Sequence, residues 1–279
     1  IRYVTYSTRY NRSHWVTIDG LERHFNRAAI DATRDAARTN FTITTSNISR
    51  LQLSDMSEAR RIAIDGETLA VTPAATIQLE RVNQRWRVAT GSVTAGALRK
   101  QHGLQGPVND AFLDAFLCVT PTGRAFNQVA ERRGRQEFER FSAMFTRDYL
   151  GEARAKADVD ITDADLAAHH LVLFGDPGSN RVLARIVDRL PIKWTKDSIT
   201  VGDRTYSAAE HVPVLIYPNP LNPQRYVVIN AGLSAQGRGA GPAFGDFAVL
   251  KASSADLSTP VAEIVTAGVF DENWQLPGL

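Results

Sequence analysis

A short apolar run that ends at a polar, glycine-rich turn constrains the fold of this chain more than any other feature. Residues 171–174 (LVLF) are followed by the turn GDPGSN at 175–180, and a helical pattern begins at Arg181. This order is typical of a buried parallel strand that leads into a helix in an α/β fold. Ligands of such folds bind at the carboxyl ends of the strands, so the turn also indicates where a site is expected.

The first part of the chain has a different pattern. Residues 1–98 contain eight short candidate strands, at 4–8, 14–18, 29–33, 41–45, 49–53, 61–64, 76–81 and 85–88. The dipeptides Asp65-Gly66 and Asn83-Gln84 separate such runs and suit tight turns. Many short strands at close spacing predict an Ig-like antiparallel β-sandwich over residues 1–98.

Residues 104–279 predict a three-layer α/β domain with a mostly parallel sheet and some antiparallel edges. A long helix is expected at 124–147, because apolar residues recur there at helical spacing. Gly134 lies near this apolar stripe and indicates a close packing contact. The helix's charged residues predict a solvated face, with a binding patch as the alternative; they are Glu131, Arg132, Arg133, Arg135 and Arg140.

Shorter elements complete this second domain. Thr162 and Asp165 have the spacing of a capping box at the start of a short helix, and a further helical pattern covers 182–190. Residues 148–160 and 237–245 are polar or glycine-rich and predict loops, the second of them mobile. Candidate strands lie at 114–119, 171–174, 198–201, 212–217, 226–231, 247–250 and 261–270.

Composition excludes few function classes. The chain has 279 residues, 32 basic and 30 acidic residues and a net charge of +2, which does not favour binding to nucleic acid or to an anionic membrane. No apolar run approaches the roughly 20 residues of a membrane-spanning helix. Cys118 is the sole cysteine and lies in an apolar run, so we expect a buried core residue. The chain begins at Ile1 without a signal peptide, and we expect a processed product or a piece of a longer polypeptide.

The turn at 175–180 supplies most of the candidate ligand-binding residues. They are Gly175, Asp176, Gly178, Ser179 and Asn180. Glycines let a ligand approach the backbone, and backbone N–H groups at a helix start attract anions and polar groups. The alternative is that Asp176 and Ser179 only shape and cap the turn.

A second candidate loop, at 217–223, is stiffened by three prolines and contains Asn219 and Asn222. If its strand runs parallel to the strand before Gly175, both amides face the same crevice as Asp176 and Asn180. Amides and a carboxylate suit hydroxyl-rich ligands such as sugars. A purely architectural role of the prolines is the alternative.

The sequence predicts no catalytic residue, no metal site and no cofactor. The nucleophile elbow G-x-S-x-G of α/β-hydrolases does not occur, since Ser179 lacks the second glycine of that pattern. Four nearby residues are of types that commonly bind metal ions; they are Asp163, Asp165, His169 and His170. The two histidines are adjacent, however, and on a helix they point about 100° apart, so capping and surface polarity are favoured.

Four segments together resemble a known class of proteins. They are 10–20 (YNRSHWVTIDG), 103–112 (GLQGPVNDAF), 171–180 (LVLFGDPGSN) and 212–223 (VPVLIYPNPLNP). Nearly the whole chain resembles the C-terminal, post-catalytic region of bacterial secreted hydrolases of the prolyl-oligopeptidase/esterase-like class. The catalytic Ser, Asp and His of that class lie in an upstream α/β-hydrolase domain, and no position here matches its nucleophile elbow.

The resemblance implies a non-catalytic accessory region that stabilises an upstream hydrolase domain of the same polypeptide or helps it to bind a peptide or polysaccharide substrate. It also implies an extracytoplasmic location. One alternative is a module that binds carbohydrate or another polar ligand through Asp176, Asn180 and Asn219. A second is an independent hydrolase that acts at the 175–180 turn.

Overall fold

The computed structural model describes residues 1–89, 98–230, 245–251 and 263–277 of the chain. The fold is mixed, with more strand than helix and with several sheets. The chain forms two compact units, residues 1–105 with 271–273 and residues 106–270 with 274–279. The predicted mobile loop at 237–245 lies outside the described residues except for Gly245. The first two residues of the predicted strand at 261–270 lie outside them as well.

The first unit contains two five-stranded sheets over one core. One sheet has the order β1 (Arg2–Thr5), β4 (Ala28–Arg34), β5 (Asn40–Ser46), β7 (Arg61–Ile64) and β8 (Glu67–Ala70). The other has the order β10 (Arg85–Val88), β9 (Ala74–Val82), β6 (Ile48–Met56), β3 (Val16–Leu21) and β2 (Arg12–Ser13). Buried residues from both sheets form a single apolar cluster, which includes Ile18, Phe41, Leu53 and Trp86. In β5 burial alternates along the strand, as expected for a strand with one face on a core.

The strand pairing in this unit departs from the prediction at one place. All pairs are antiparallel except β5 and β7, which are parallel. The intervening β6 belongs to the other sheet, so the chain crosses away from β5 and returns beside it in the same direction. The predicted turns are confirmed, because Asp65, Gly66, Asn83 and Gln84 all have positive φ and connect hairpin strands.

The second unit contains a seven-stranded sheet with two directions. Its order is β12 (Ala155–Ala157), β11 (Phe116–Thr120), β13 (His170–Leu173), β18 (Asn222–Ile229), β17 (His211–Asn219), β19 (Phe247–Lys251) and β20 (Glu263–Gly268). The pairs from β12 to β18 are parallel, and the pairs from β18 to β20 are antiparallel. The sheet is therefore mixed, not mostly parallel.

The helices of this unit are α1 (Gln128–Tyr149), α2 (Asp163–Ala168) and α3 (Arg181–Ile186), with short 3₁₀ turns at 108–113, 158–160 and 187–189. A separate antiparallel sheet comprises β14 (Ile192–Trp194), β15 (Ser198–Val201) and β16 (Arg204–Ser207). None of the helices in these described ranges is long and apolar enough to span a bilayer. The edge strand β12 falls in a predicted loop. Its Ala-Lys-Ala sequence carries no strand signal, and only pairing with β11 defines it.

The long helix begins later than predicted, since α1 starts at Gln128 instead of 124 and continues to Tyr149. Asn127 caps α1, because its side chain accepts a hydrogen bond from the backbone N–H of Ala130 at 2.8 Å. The predicted capping box of α2 is present in both directions between Thr162 and Asp165. On the apolar side of α1, the centroid of the Phe141 ring lies within 6.1 Å of the centroids of four other phenylalanine rings; the partners are Phe112, Phe116, Phe145 and Phe174.

Candidate functional site

The sheet of the second unit has a topological switch point at β11. From β11 the chain passes through α1 to β12 on one side, and then through α2 to β13 on the other side. The segment 120–123 follows β11 and the turn 175–180 follows β13, so both lie at the carboxyl ends of parallel neighbours. Such points are where open α/β sheets hold their ligands.

The turn at 175–180 is closed by the side chain of Asp176. Its Oδ1 accepts hydrogen bonds from the backbone N–H groups of Gly178 (3.0 Å) and Ser179 (2.9 Å) and from Ser179 Oγ (2.9 Å). Its Oδ2 accepts one from the backbone N–H of Phe126 at 2.8 Å. Asp176 is 1% exposed, so its carboxylate forms its hydrogen bonds with protein groups and not with solvent. Asp176 therefore holds the turn together.

Asn180 fixes the start of α3. Its Oδ1 accepts from the backbone N–H groups of Val182 and Leu183, both at 3.1 Å. Its Nδ2 donates to the carbonyl oxygens of Val119 and Phe174, which ties the turn to the ends of both parallel strands. Asn180 is fully buried, so its amide serves as a cap and a brace.

A second carboxylate completes this set. Asp158 Oδ2 accepts from the backbone N–H of Arg181 at 2.6 Å, and its Oδ1 accepts from Thr122 Oγ1 at 2.6 Å. The N–H groups of Asp176 and of residues 178–183 are thus bonded to the protein's own oxygens. The alternative that Asp176 and Ser179 shape the turn accounts for these contacts. Ligand binding by Gly175, Asp176, Gly178, Ser179 and Asn180 stays a prediction.

The two side chains considered as nucleophiles are held in inert environments. Ser179 is 5% exposed, and among the described residues its Oγ forms hydrogen bonds only with Asp176, as donor and as acceptor. Within the described ranges no histidine contacts this hydroxyl, so no base is in place to activate it. Cys118 is buried as expected, and burial raises the pKa of its thiol to about 12.

Asn219 and Asn222 do not join this site. β17 runs antiparallel to β18, and the register pairs Asn219 with Asn222 across a hairpin. The hairpin lies at the amino end of β18, whereas Asn180 follows the carboxyl end of β13. The expected common crevice required β17 to run parallel to β13. The proline-rich segment instead forms a hairpin that connects β17 to the antiparallel strand β18. The candidate sugar site of Asp176, Asn180 and Asn219 is therefore not assembled.

A cavity of about 300 Å³ lies at the switch point itself. Its lining comes from the segment after β11, from α1 and from the turn after β13; the residues are Thr120, Pro121, Thr122, Gly123, Ala130, Glu131, Gly134, Arg135, Phe138, Gly175 and Ser179. Sequence reasoning identified Gly175 and Ser179 as candidate site residues. On the helix side it gave charged residues that include Glu131 and Arg135 only as an alternative binding patch, and Gly134 as a close packing contact.

Close contact between two glycines shapes the inner wall of the cavity. A Cβ atom on Gly134 would lie 2.9 Å from the Cα of Gly175, so the predicted close packing contact is confirmed. Gly175 has a φ of +95°, and a Cβ there would meet Ser179 Oγ at 2.6 Å. Both positions therefore require glycine for α1 to approach the turn.

Two of the residues considered for a metal, Asp165 and His170, have other partners, whereas His169 Nδ1 is buried without a hydrogen-bond partner among the described residues. Asp165 accepts two hydrogen bonds from Lys156 Nζ, both at 2.8 Å, and His170 Nδ1 accepts from the backbone N–H of Tyr226 at 2.8 Å. In the portions of the chain described, no group of three or more His, Cys, Asp or Glu residues is arranged to hold a metal ion.

Comparisons with protein-family models, with curated proteins and with solved structures give no match for this chain. The likeness to post-catalytic regions of secreted hydrolases stays an expectation from the sequence.

Proposed function

We propose that this chain is a non-catalytic accessory region of a serine hydrolase of the prolyl-oligopeptidase/esterase-like class. In this proposal the first unit is a β-sandwich domain and the second a three-layer α/β domain. Both act beside an upstream hydrolase domain of the same polypeptide, in an extracytoplasmic location. The accessory region stabilises that domain or assists its binding of a peptide or polysaccharide substrate.

The state of Ser179 is the observation that carries the non-catalytic part of the proposal. A nucleophilic serine needs an exposed hydroxyl and a base within hydrogen-bond reach. Ser179 stands at the strand-to-helix turn where hydrolases of the α/β type place their nucleophile, but its hydroxyl is buried and committed to Asp176. The resemblance of the four sequence segments supports the hydrolase context.

The first experiment tests whether the chain has serine-hydrolase activity of its own. The purified chain is treated with a fluorophosphonate probe and assayed with chromogenic ester and prolyl-peptide substrates. We expect neither labelling nor turnover, because the Ser179 hydroxyl is buried and has no base beside it among the described residues. Labelling or turnover that disappears in Ser179→Ala would overturn the non-catalytic assignment. Ser207→Ala, which changes a serine of β16, is the matched control.

The second experiment tests the hydrolase context. The native polypeptide is purified from its source with an antibody against this chain, and its intact mass, N-terminus and probe labelling are determined. We expect a longer polypeptide with a serine labelled in an upstream G-x-S-x-G motif, recovered from an extracytoplasmic fraction. A native product that begins at or near Ile1, with no labelled domain attached or co-purified, contradicts the proposal.

A further inference from the structure

The wall of the cavity formed by α1 carries two opposite charges. Glu131 and Arg135 both line the cavity, and both residues are exposed. They lie four residues apart on one helix face, a spacing at which ion pairs commonly form. Within the described residues, however, neither side chain forms an ion pair or a hydrogen bond. Both charges are thus available to a ligand in the cavity.

The wall formed by the segment after β11 adds hydrogen-bond acceptors and an apolar surface. Thr120 Oγ1 donates to the carbonyl oxygen of Lys156, and Thr122 Oγ1 donates to Asp158. Since each hydroxyl proton is used in this way, the two oxygens can only accept from a ligand. Pro121 and Phe138 supply apolar lining.

We propose that this cavity binds a small zwitterion of the α-amino acid type. The ligand's carboxylate pairs with Arg135, its ammonium group donates to Glu131 and to the threonine oxygens, and its side chain lies against Phe138. A neutral ligand would leave both charges unpaired, and a dianion or a dication would face a like charge. The volume of about 300 Å³ is at the lower end of the range for ligand pockets and suits a molecule of this size.

The experiment is a calorimetric titration of the purified chain with a panel of free amino acids. Each amino acid that binds is compared with its C-terminal amide, which lacks the carboxylate, and with its N-acetyl derivative, which lacks the ammonium group. We expect each derivative to bind about tenfold more weakly than the parent zwitterion. Derivatives that bind as tightly as the parent, or a panel without binding at about 10 mM ligand, would overturn the proposal.

Variants locate the binding. Arg135→Gln removes the cationic group and Ala130→Leu fills the cavity from α1, so both should weaken binding of the zwitterion about tenfold. Arg132→Gln is the matched control, because Arg132 is exposed on the same helix and does not line the cavity. Equal losses in Arg135→Gln and Arg132→Gln would show a general surface effect and reject the site. Should Ala130→Leu fail to fold, the comparison of Arg135→Gln with Arg132→Gln still decides whether the ligand binds in the cavity.

This result is independent of the hydrolase context, which is tested on the native polypeptide.

Discussion

Two turns of the second unit follow apolar strands and are rich in Gly, Pro, Asp and Asn, yet the protein uses them in different ways. At 175–180 the buried amide of Asn180 makes four hydrogen bonds that join two strand ends and a helix start. At 217–223 the buried amide of Asn219 makes one, in which its Oδ1 accepts from the backbone N–H of Leu221 at 2.9 Å. Its Nδ2 is buried without a partner among the described residues.

The difference shows that strand direction, more than local composition, decides what such a turn can do. After β13 the chain enters a helix, and the turn remains at the switch point beside a cavity. After β17 the chain reverses into β18, and the turn becomes a hairpin at the opposite edge of the sheet. The first turn therefore connects three elements, whereas the second closes a single pair of strands.

The largest effect is expected at the residue that closes the 175–180 turn. Asp176→Ala removes the side-chain acceptor of the backbone N–H groups of Phe126 and Gly178 and of the Ser179 hydroxyl, and we expect the free energy of unfolding to fall by about 3 kcal/mol. Urea unfolding followed by circular dichroism measures this loss. Asp203→Ala, at an exposed turn carboxylate, is the control and should change stability by less than about 0.5 kcal/mol. Equal losses in both variants would mean that the turn is not closed by Asp176.

The next effect tests the helix cap in that turn. Asn180→Ala removes the cap of α3 and the links to Val119 and Phe174, so we expect a loss of about 2 kcal/mol. Urea unfolding again gives the value. Asn180→Asp keeps the cap acceptor but places a buried carboxylate oxygen against the carbonyl oxygens of Val119 and Phe174, so it should not recover the loss. A wild-type stability in Asn180→Ala would contradict the bracing role.

Local signals predicted more of the fold than of the site. The capping box of Thr162 and Asp165 and the turn at Asp65-Gly66 were recognisable because their chemistry involves residues a few positions apart. The parallel pairing of β5 with β7 and the antiparallel return of β17 depend on which strands become neighbours, and no short pattern encodes that. The cavity depends on α1 approaching the turn, which Gly134 signalled, whereas the charged residues of α1 were given only as an alternative binding patch.

A smaller, pH-dependent effect is expected at the capping box of α2. Hydrogen bonds from Lys156 and Thr162 lower the pKa of Asp165 to about 2. Since the pKa of an unfolded Asp is about 3.9, the carboxylate stabilises the fold above that pH, and the contribution is lost as the pH falls through about 2. Asp165→Asn should cost about 1 kcal/mol at pH 7, and this difference should shrink between about pH 4 and pH 2.

Urea unfolding of the wild type and of Asp165→Asn at several pH values measures this difference. Asp163→Asn is the matched control, because Asp163 is exposed two residues earlier on the same helix. The helix that Asp165 caps also contacts the hairpin, because Asn222 Nδ2 donates a hydrogen bond to the carbonyl oxygen of Leu166. A difference that stays constant down to pH 2 would contradict the role of the charged carboxylate.

The smallest effect is expected from the same substitution at the second turn. Asn219→Ala removes one accepted hydrogen bond, but it also removes a buried N–H donor that lacks a partner among the described residues. An unpaired buried donor costs free energy, so the two changes offset each other, and we expect a loss of less than about 1 kcal/mol. Measured beside Asn180→Ala under the same conditions, this variant compares one amide at two turns. A loss as large as that of Asn180→Ala would mean that Asn219 Nδ2 has a partner in solution, such as an ordered water, and that the hairpin is braced as firmly as the turn at the switch point.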